Sequence, residues 1–320
     1  MPPRPGFESR CADSAAGVKL EGFRRRAVAA ARCFFSVSVR PPLLGRADTP
    51  LVTPVKTPFL LLFRLAALAL PFALPSSASP ESTAESGWIS LFNGKDLDGW
   101  TVKVAKHPVG ENFADTFRVE DGVIKVAYDK YGKFDEQFAH LYSNLAYSRY
   151  ILRLEYRFTG TAVADSPSWS KLNSGVMIHS QSPLSMRLDQ LWPAAMEVQF
   201  LAEGTTAGRQ TCNACTPGTN LVRGGKLTTD HIVEAVGSLS PLNEWVSVEV
   251  EVHGNDLVIH RVNGVEVLRY EHPQLDPRDP DAKRLLALGA PLQLSSGHIA
   301  LQAESQPVWF RNIRIKLLEP

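Results

Sequence analysis

From Gly87 onward, apolar and polar residues alternate with the two-residue period of a β-strand, in one short run after another. Tyr150, Leu152, Leu154, Tyr156 and Phe158 fall on one side of such a run, with Ile151, Arg153, Glu155 and Arg157 on the other. Trp245–His253 repeats the pattern with Val246, Val248, Val250 and Val252 on one face. Further strands are predicted at Trp88–Phe92, Trp100–Val104, Phe117–Glu120, Val123–Ala127 and Leu141–Ser143. Others follow at Ser174–His179, Ala195–Leu201, Leu257–Val262, Val265–Tyr270, His298–Glu304 and Val308–Leu318. Asp121-Gly122 and Asn263-Gly264 are strong two-residue hairpin signals, because tight hairpin turns need residues that tolerate positive φ. Ala202–Leu242, rich in Gly, Thr and Asn, reads as a long irregular loop, and Asp276–Leu288 as a charged loop with one helical turn. No helical period persists. The pattern predicts an all-β sandwich or jelly roll of antiparallel strands, forming a single domain over residues 87–320.

Upstream, the pattern changes. Leu65–Leu74 is a short apolar run preceded by Lys56 and Arg64 and followed by the small residues Ser76-Ser77-Ala78. That is the layout of a secretory signal, assigned to residues 51–78, and the run is too short for a comfortable membrane span. The expected location is therefore periplasmic or secreted, with no stable membrane span once the signal is cleaved. Residues 1–50 have no strand or helix pattern and read as a disordered or over-extended start, and residues 79–86 as a polar linker.

Charge follows the same division. Residues 1–50 hold nine Lys/Arg against four acids, whereas the whole chain is only +1, so the domain itself is acidic. With no basic stripe left in it, nucleic acid is excluded as an expected partner. Cys212 and Cys215 are the only cysteines in the domain, and turn residues (Thr216-Pro217-Gly218) follow them. A redox pair would want a helix there, and a zinc site would want two more ligands. A loop disulfide is the preferred reading in an oxidising compartment. No cofactor is predicted, and the sequence indicates no ligand set for a divalent metal.

Candidate chemistry gathers on three strand faces. On Ala195–Leu201, Met196, Val198 and Phe200 face a core, while Glu197 and Gln199 share the opposite face. On His298–Glu304, Gln302 and Glu304 share a face with His298 and Ala300. On Ser174–His179, Gly175, Met177 and His179 share one face, with Asn173 just before the strand. If the first two strands are neighbours, Glu197, Gln199, Gln302 and Glu304 form one polar cluster. A strand-end imidazole such as His179 can relay a proton or serve structure.

Several segments resemble the 3-keto-disaccharide hydrolase domain family. They are Leu91–Trp100 (LFNGKDLDGW), Asn173–His179, Met196–Gln199, Cys215–Thr219 and Ile299–Ser305 leading to Phe310–Ile313. They occur in family order across residues 87–320. The resemblance implies a concanavalin A-like jelly roll and a small carbohydrate substrate already oxidised to a ketone at carbon 3. Such a ketone acidifies the carbon-2 proton, so elimination followed by hydration can cleave the glycosidic bond with one base, one acid and a group to hold the enolate. Glu197, His179 and Glu304 are the catalytic candidates. Gln199, Gln302, Arg311, Asn173 and Trp100 are the substrate-binding candidates, with Arg311 either holding an enolate or pairing with Glu304, and Trp100 either stacking on a sugar or serving the core. Glucanases of similar fold carry an acid-x-acid-x-acid strand, but here the face reads Glu197, Gln199, Leu201. That departure disfavours hydrolysis by a flanking carboxylate pair. It leaves two classes of function: a 3-keto-sugar hydrolase or lyase, and a lectin-like module that binds glycans without cleaving them.

Overall fold

The structure is a computed structural model that describes residues 87–205 and 208–319. The expectations for the signal, the N-terminal extension and the linker fall outside the described residues. In chain order the strands are β1 (Trp88–Ser90), β2 (Trp100–Val104), β3 (Phe117–Glu120), β4 (Val123–Val126), β5 (Ala139–Tyr147) and β6 (Arg149–Phe158). Then come β7 (Asn173–Ser180), β8 (Met196–Leu201), β9 (Asn213–Cys215), β10 (Thr219–Arg223), β11 (Lys226–Thr228) and β12 (Ile232–Val233). The chain continues with β13 (Val246–His253), β14 (Val258–Val262), β15 (Val265–Leu275), helix α1 (Pro280–Ala287), β16 (Gly297–Ala303) and β17 (Val308–Leu317).

Two antiparallel sheets result. One runs β11-β10-β15-β14-β13-β6-β17-β4-β3, with β1 paired to β17; the other runs β12-β9-β8-β7-β16-β5-β2. Both hairpin turns form as the sequence predicts, with φ of +53° and +74° at Asp121-Gly122 and +49° and +82° at Asn263-Gly264. The valine face of β13 pairs with Leu152, Leu154 and Tyr156 of β6, and all of these are buried. Met196, Val198 and Phe200 of β8 meet that layer from the other sheet in one shared core. Phe200 stacks on Tyr156 with ring centroids 4.3 Å apart and planes 2° apart. The Tyr156 hydroxyl donates to the Leu201 carbonyl at 3.1 Å, so the strand carrying Glu197 is pinned to the opposite sheet from beneath. The fold is a concanavalin A-like β-sandwich of two antiparallel sheets, as expected.

Two segments depart from the sequence reading. The expected loop Ala202–Leu242 contains β9 to β12. These strands are too short to show a period; their edges are satisfied by pairing with β8 and β15. Asp276–Leu288 contains a two-turn helix, because Asp279 caps it by accepting from the Asp281 and Ala282 amides and Pro280 stands in its first turn.

Candidate active site

The site is built on the face of the seven-stranded sheet that points away from the sandwich core. On β8 the pleat sends Glu197 and Gln199 to that face. Glu197 lies opposite Met177 of β7 and Cys215 of β9; Gln199 lies opposite Gly175 and Asn213. Gly175 is needed there. A Cβ at that position would sit 2.9 Å from both Cγ and Oε1 of Glu197, so glycine gives the carboxylate its room. From β16, Gln302 lies on the floor opposite His140 of β5, and Glu304 follows the strand end.

Glu197, Glu304, Gln199 and Asn173 all line one pocket of about 360 Å³. Its walls also include Trp169, Trp192, Arg209, Cys215, Pro217, His231 and Ile232. Trp192 packs on Phe138 with centroids 4.5 Å apart and lies 6.0 Å from Trp169, whose indole is 46% exposed. An aromatic wall beside hydrogen-bonding carboxylates suits a sugar ring, whose C–H face stacks while its hydroxyls bond.

Hydrogen bonds fix the polar floor. Glu304 Oε1 accepts from Trp192 Nε1 at 3.0 Å and from Gln302 Nε2 at 3.1 Å. Glu304 Oε2 and Gln302 Oε1 are buried and have no protein partner among the described residues. Gln199 is held at both ends: Asn213 donates to its Oε1 at 3.0 Å, and its Nε2 donates to Asn173 Oδ1 at 3.1 Å. That network makes Gln199 and Asn173 parts of the frame as much as ligands for a substrate.

The electrostatics are unusual for a sheet surface. Glu197 is 6% exposed and Glu304 3%. Burial pushes the Glu197 carboxyl well above the usual carboxylate range; the nearby Glu304 charge adds to this, and Arg209 opposes it. Burial likewise raises Glu304, to about 8, against the Trp192 hydrogen bond that favours its ionised form. Two buried acids that repel each other resist ionising together. Burial also raises the Cys215 thiol, with Glu197 adding to the effect. Desolvation and the Arg209 charge lower the His231 pKa.

Other sequence candidates lie elsewhere. His179 has φ +49°, at a bulge where the β7–β16 register slips between His298 and Ala300. Gly297 packs against its backbone so closely that a Cβ there would lie 2.3 Å from the His179 carbonyl carbon. The bulge turns the imidazole off the expected face, and its Nε2–H donates to the Gly254 carbonyl at 3.0 Å. Burial lowers its pKa to about 4. His179 lines a different pocket, with Leu275, Leu285 and Leu294. Arg311 is on the other sheet, donating to Glu155 Oε2 at 2.6 Å and stacked 4.0 Å over Trp245, so neither of its expected roles holds. Trp100 is core: it is 8% exposed and donates Nε1–H to the Leu91 carbonyl at 2.8 Å. The expected Cys212–Cys215 disulfide is absent and both thiols are free. The reason is strand geometry. Cys212, with φ +63°, lies before β9 and enters the core, whereas Cys215 lies on the strand and enters the pocket.

Sequence reasoning missed Trp169, Trp192 and Arg209, which sit on connections without a period. Aromatic residues in otherwise polar loops were the available signal. Among the described residues, no group of three or more His, Cys, Asp or Glu is arranged to hold a metal ion, and no helix is long and apolar enough to cross a membrane.

Comparison with known proteins names a family. A Parabacteroides distasonis protein assigned to the glycosyl hydrolases aligns at 19% identity and a TM-score of 0.42, covering 73% of this chain and 94% of the other. A Bacillus licheniformis β-glucanase aligns at 12% identity and a TM-score of 0.40, covering 73% and 100%. The carbohydrate-binding module CBM66 of Bacillus subtilis aligns at 9% identity and a TM-score of 0.36, covering 72% and 95%. No curated protein sequence matches. The profile of the 3-keto-alpha-glucoside-1,2-lyase-like domain matches residues 87–316, and the chain belongs to that family.

Proposed function

We propose that this protein is an extracytoplasmic enzyme that cleaves 3-keto-glycosides by elimination, with hydration completing a net hydrolysis. The observation that carries the reading is the convergence of Glu197 and Glu304, both buried, in one aromatic-walled pocket. Family membership supports a carbohydrate-active role. The export pattern in residues 51–78 supports the location.

The pair divides into a base and an acid by environment. Glu304 Oε1 accepts two hydrogen bonds, which favour its carboxylate, so Glu304 is the base. Glu197 lies opposite Cys215 and is held well above the usual carboxylate range by burial and by the Glu304 charge, so it keeps its proton and is the acid. Glu304 takes the carbon-2 proton, and the C–H electron pair forms the C2=C3 bond of an enolate. As the C3 carbonyl re-forms, that pair moves to C1=C2, and the C1–O bond breaks toward the leaving oxygen. Glu197 protonates that oxygen. In hydration the roles reverse: Glu197 takes a proton from water as its oxygen bonds to carbon 1, and Glu304 returns a proton to carbon 2.

The reading is tested by incubating the protein with 3-keto-trehalose and with trehalose and following free sugar. Cleavage of the ketone alone is expected. Binding of sugars without cleavage would replace the enzyme by a lectin-like module, and equal cleavage of trehalose would replace elimination by direct hydrolysis.

A further inference from the structure

Elimination places its negative charge on the oxygen at carbon 3, and a catalyst of this reaction gains most from fixed donors or a cation at that point. Arg311 does not supply it, being held by Glu155 on the other sheet. Among the described residues lining the Glu197–Glu304 pocket, Arg209 is the one that carries a guanidinium or an amine. It lies in the connection between β8 and β9. It lines the same pocket wall as Glu197 of β8, Cys215 of β9 and His231 beside β12, and its charge acts on all three.

We propose that Arg209 is a catalytic residue that holds the carbon-3 oxygen, as ketone in the bound sugar and as enolate in the intermediate, and so selects oxidised over unoxidised sugars. The inference rests on the elimination reading above. The selectivity follows from hydrogen-bond chemistry. A ketone oxygen only accepts, and a guanidinium only donates, so the two are matched; a hydroxyl at carbon 3 can accept as well, but it cannot become an enolate oxygen, so the selection is made by the charge that only the oxidised sugar develops. The interaction strengthens as the oxygen becomes an enolate, so it acts on the transition state more than on the bound ground state. The same charge eases Glu197 toward ionisation, which helps it release its proton to the leaving group.

The test compares wild type, Arg209→Met and Arg209→Lys on 3-keto-trehalose at saturating and limiting substrate. Arg209→Met is expected to lose roughly 10²–10³-fold in kcat with a smaller change in KM, the loss seen when an oxyanion donor is removed. Its alkaline pH limb should move upward, because Glu197 then holds its proton more tightly. Added guanidinium should restore part of its rate and none to wild type. Arg209→Lys, which keeps the charge but not the fork, should lose about tenfold and stands in if the methionine variant does not fold. A kcat within threefold of wild type in the folded variants, or a loss confined to KM, would overturn the assignment to Arg209 while the elimination reading stands. A wild type inert on every 3-keto-glycoside would sink that reading and the assignment together.

Discussion

The outward faces of the two sheets use the same residue types to opposite ends. On the ten-stranded sheet, cations and indoles interleave across strands. Arg153 lies 4.4 Å over Trp88, Arg157 lies 4.6 Å and 4.3 Å over Trp245 and Trp309, and Lys125 lies 4.4 Å over Trp309. Two acids at its centre meet arginines: Glu155 with Arg311, and Glu249 with Arg153 and Arg261. These acids keep side-chain exposures of 26% and 18%, and solvent and partners share the work of stabilising their charge. On the seven-stranded sheet, Glu197 and Glu304 lie under indoles, buried, and near each other's charge. An acid in a paired, half-wet ladder is a structural carboxylate. An acid in a dry pocket beside a second acid is prepared to exchange protons.

The strongest way to break the comparison is to neutralise one acid on each face. Glu304→Gln and Glu197→Gln should each lower kcat at least 10²–10⁴-fold, the usual worth of a general base or acid. Glu155→Gln should leave kcat within twofold. Comparable losses from all three would erase the distinction. Next in size is Gly175→Ala, whose methyl group displaces Glu197 without touching its chemistry. It should cost about 10²-fold in kcat, since a misplacement of about 1 Å is worth that much, and a crystal structure of the variant should show the carboxylate moved. Trp192→Phe keeps an aromatic wall but removes the donor to Glu304. The base then ionises less readily, so the acid limb of kcat should shift upward, with about a tenfold loss at neutral pH.

The smallest expected effect is on stability against pH. Glu304 has its folded pKa raised from 4.5 to about 8, so the fold holds a proton that the unfolded chain releases across that window. The stabilisation present below pH 4.5 is lost as pH rises toward 8, at about 1.4 kcal/mol per unit for each such group. Buried His140, His179 and His260, lowered to about 3, 4 and 4, act in reverse: the unfolded chain binds protons below about pH 6.5 and the fold weakens as pH falls. Thermal unfolding should therefore show a maximum near pH 6–7. Glu304→Gln should flatten the alkaline side and steepen the rise between pH 4.5 and the maximum; an unchanged alkaline slope would argue that Glu304 titrates normally.

Much of this was legible in the sequence where a period of two operates. The floor positions of Glu197 and Gln199 followed from alternation alone, because a strand with one face in the core has no freedom in where the other points. The grouping of those positions with Glu304 was expected only if β8 and β16 were neighbours; β7 lies between them, and Glu197 and Glu304 reach one pocket across it. His179 was misplaced because a bulge, enforced by the tight approach of Gly297, breaks the alternation at the last position that mattered. The disulfide failed because Asn213–Cys215 is a strand too short to announce itself. Helix α1 carried a readable start in Asp279-Pro280, outweighed by its charged, turn-rich surroundings. Trp169, Trp192 and Arg209 reach the pocket from connections, where spacing carries no direction.

The central claim is that the bond breaks by loss of the carbon-2 proton to Glu304. It is tested most directly by following 3-keto-trehalose deuterated at carbon 2, at low conversion, by mass spectrometry and initial rate. A primary isotope effect on kcat/KM, with hydrogen from water at carbon 2 of the hydrated product, is the predicted result. Cleavage at an undiminished rate with the deuterium retained would contradict the account.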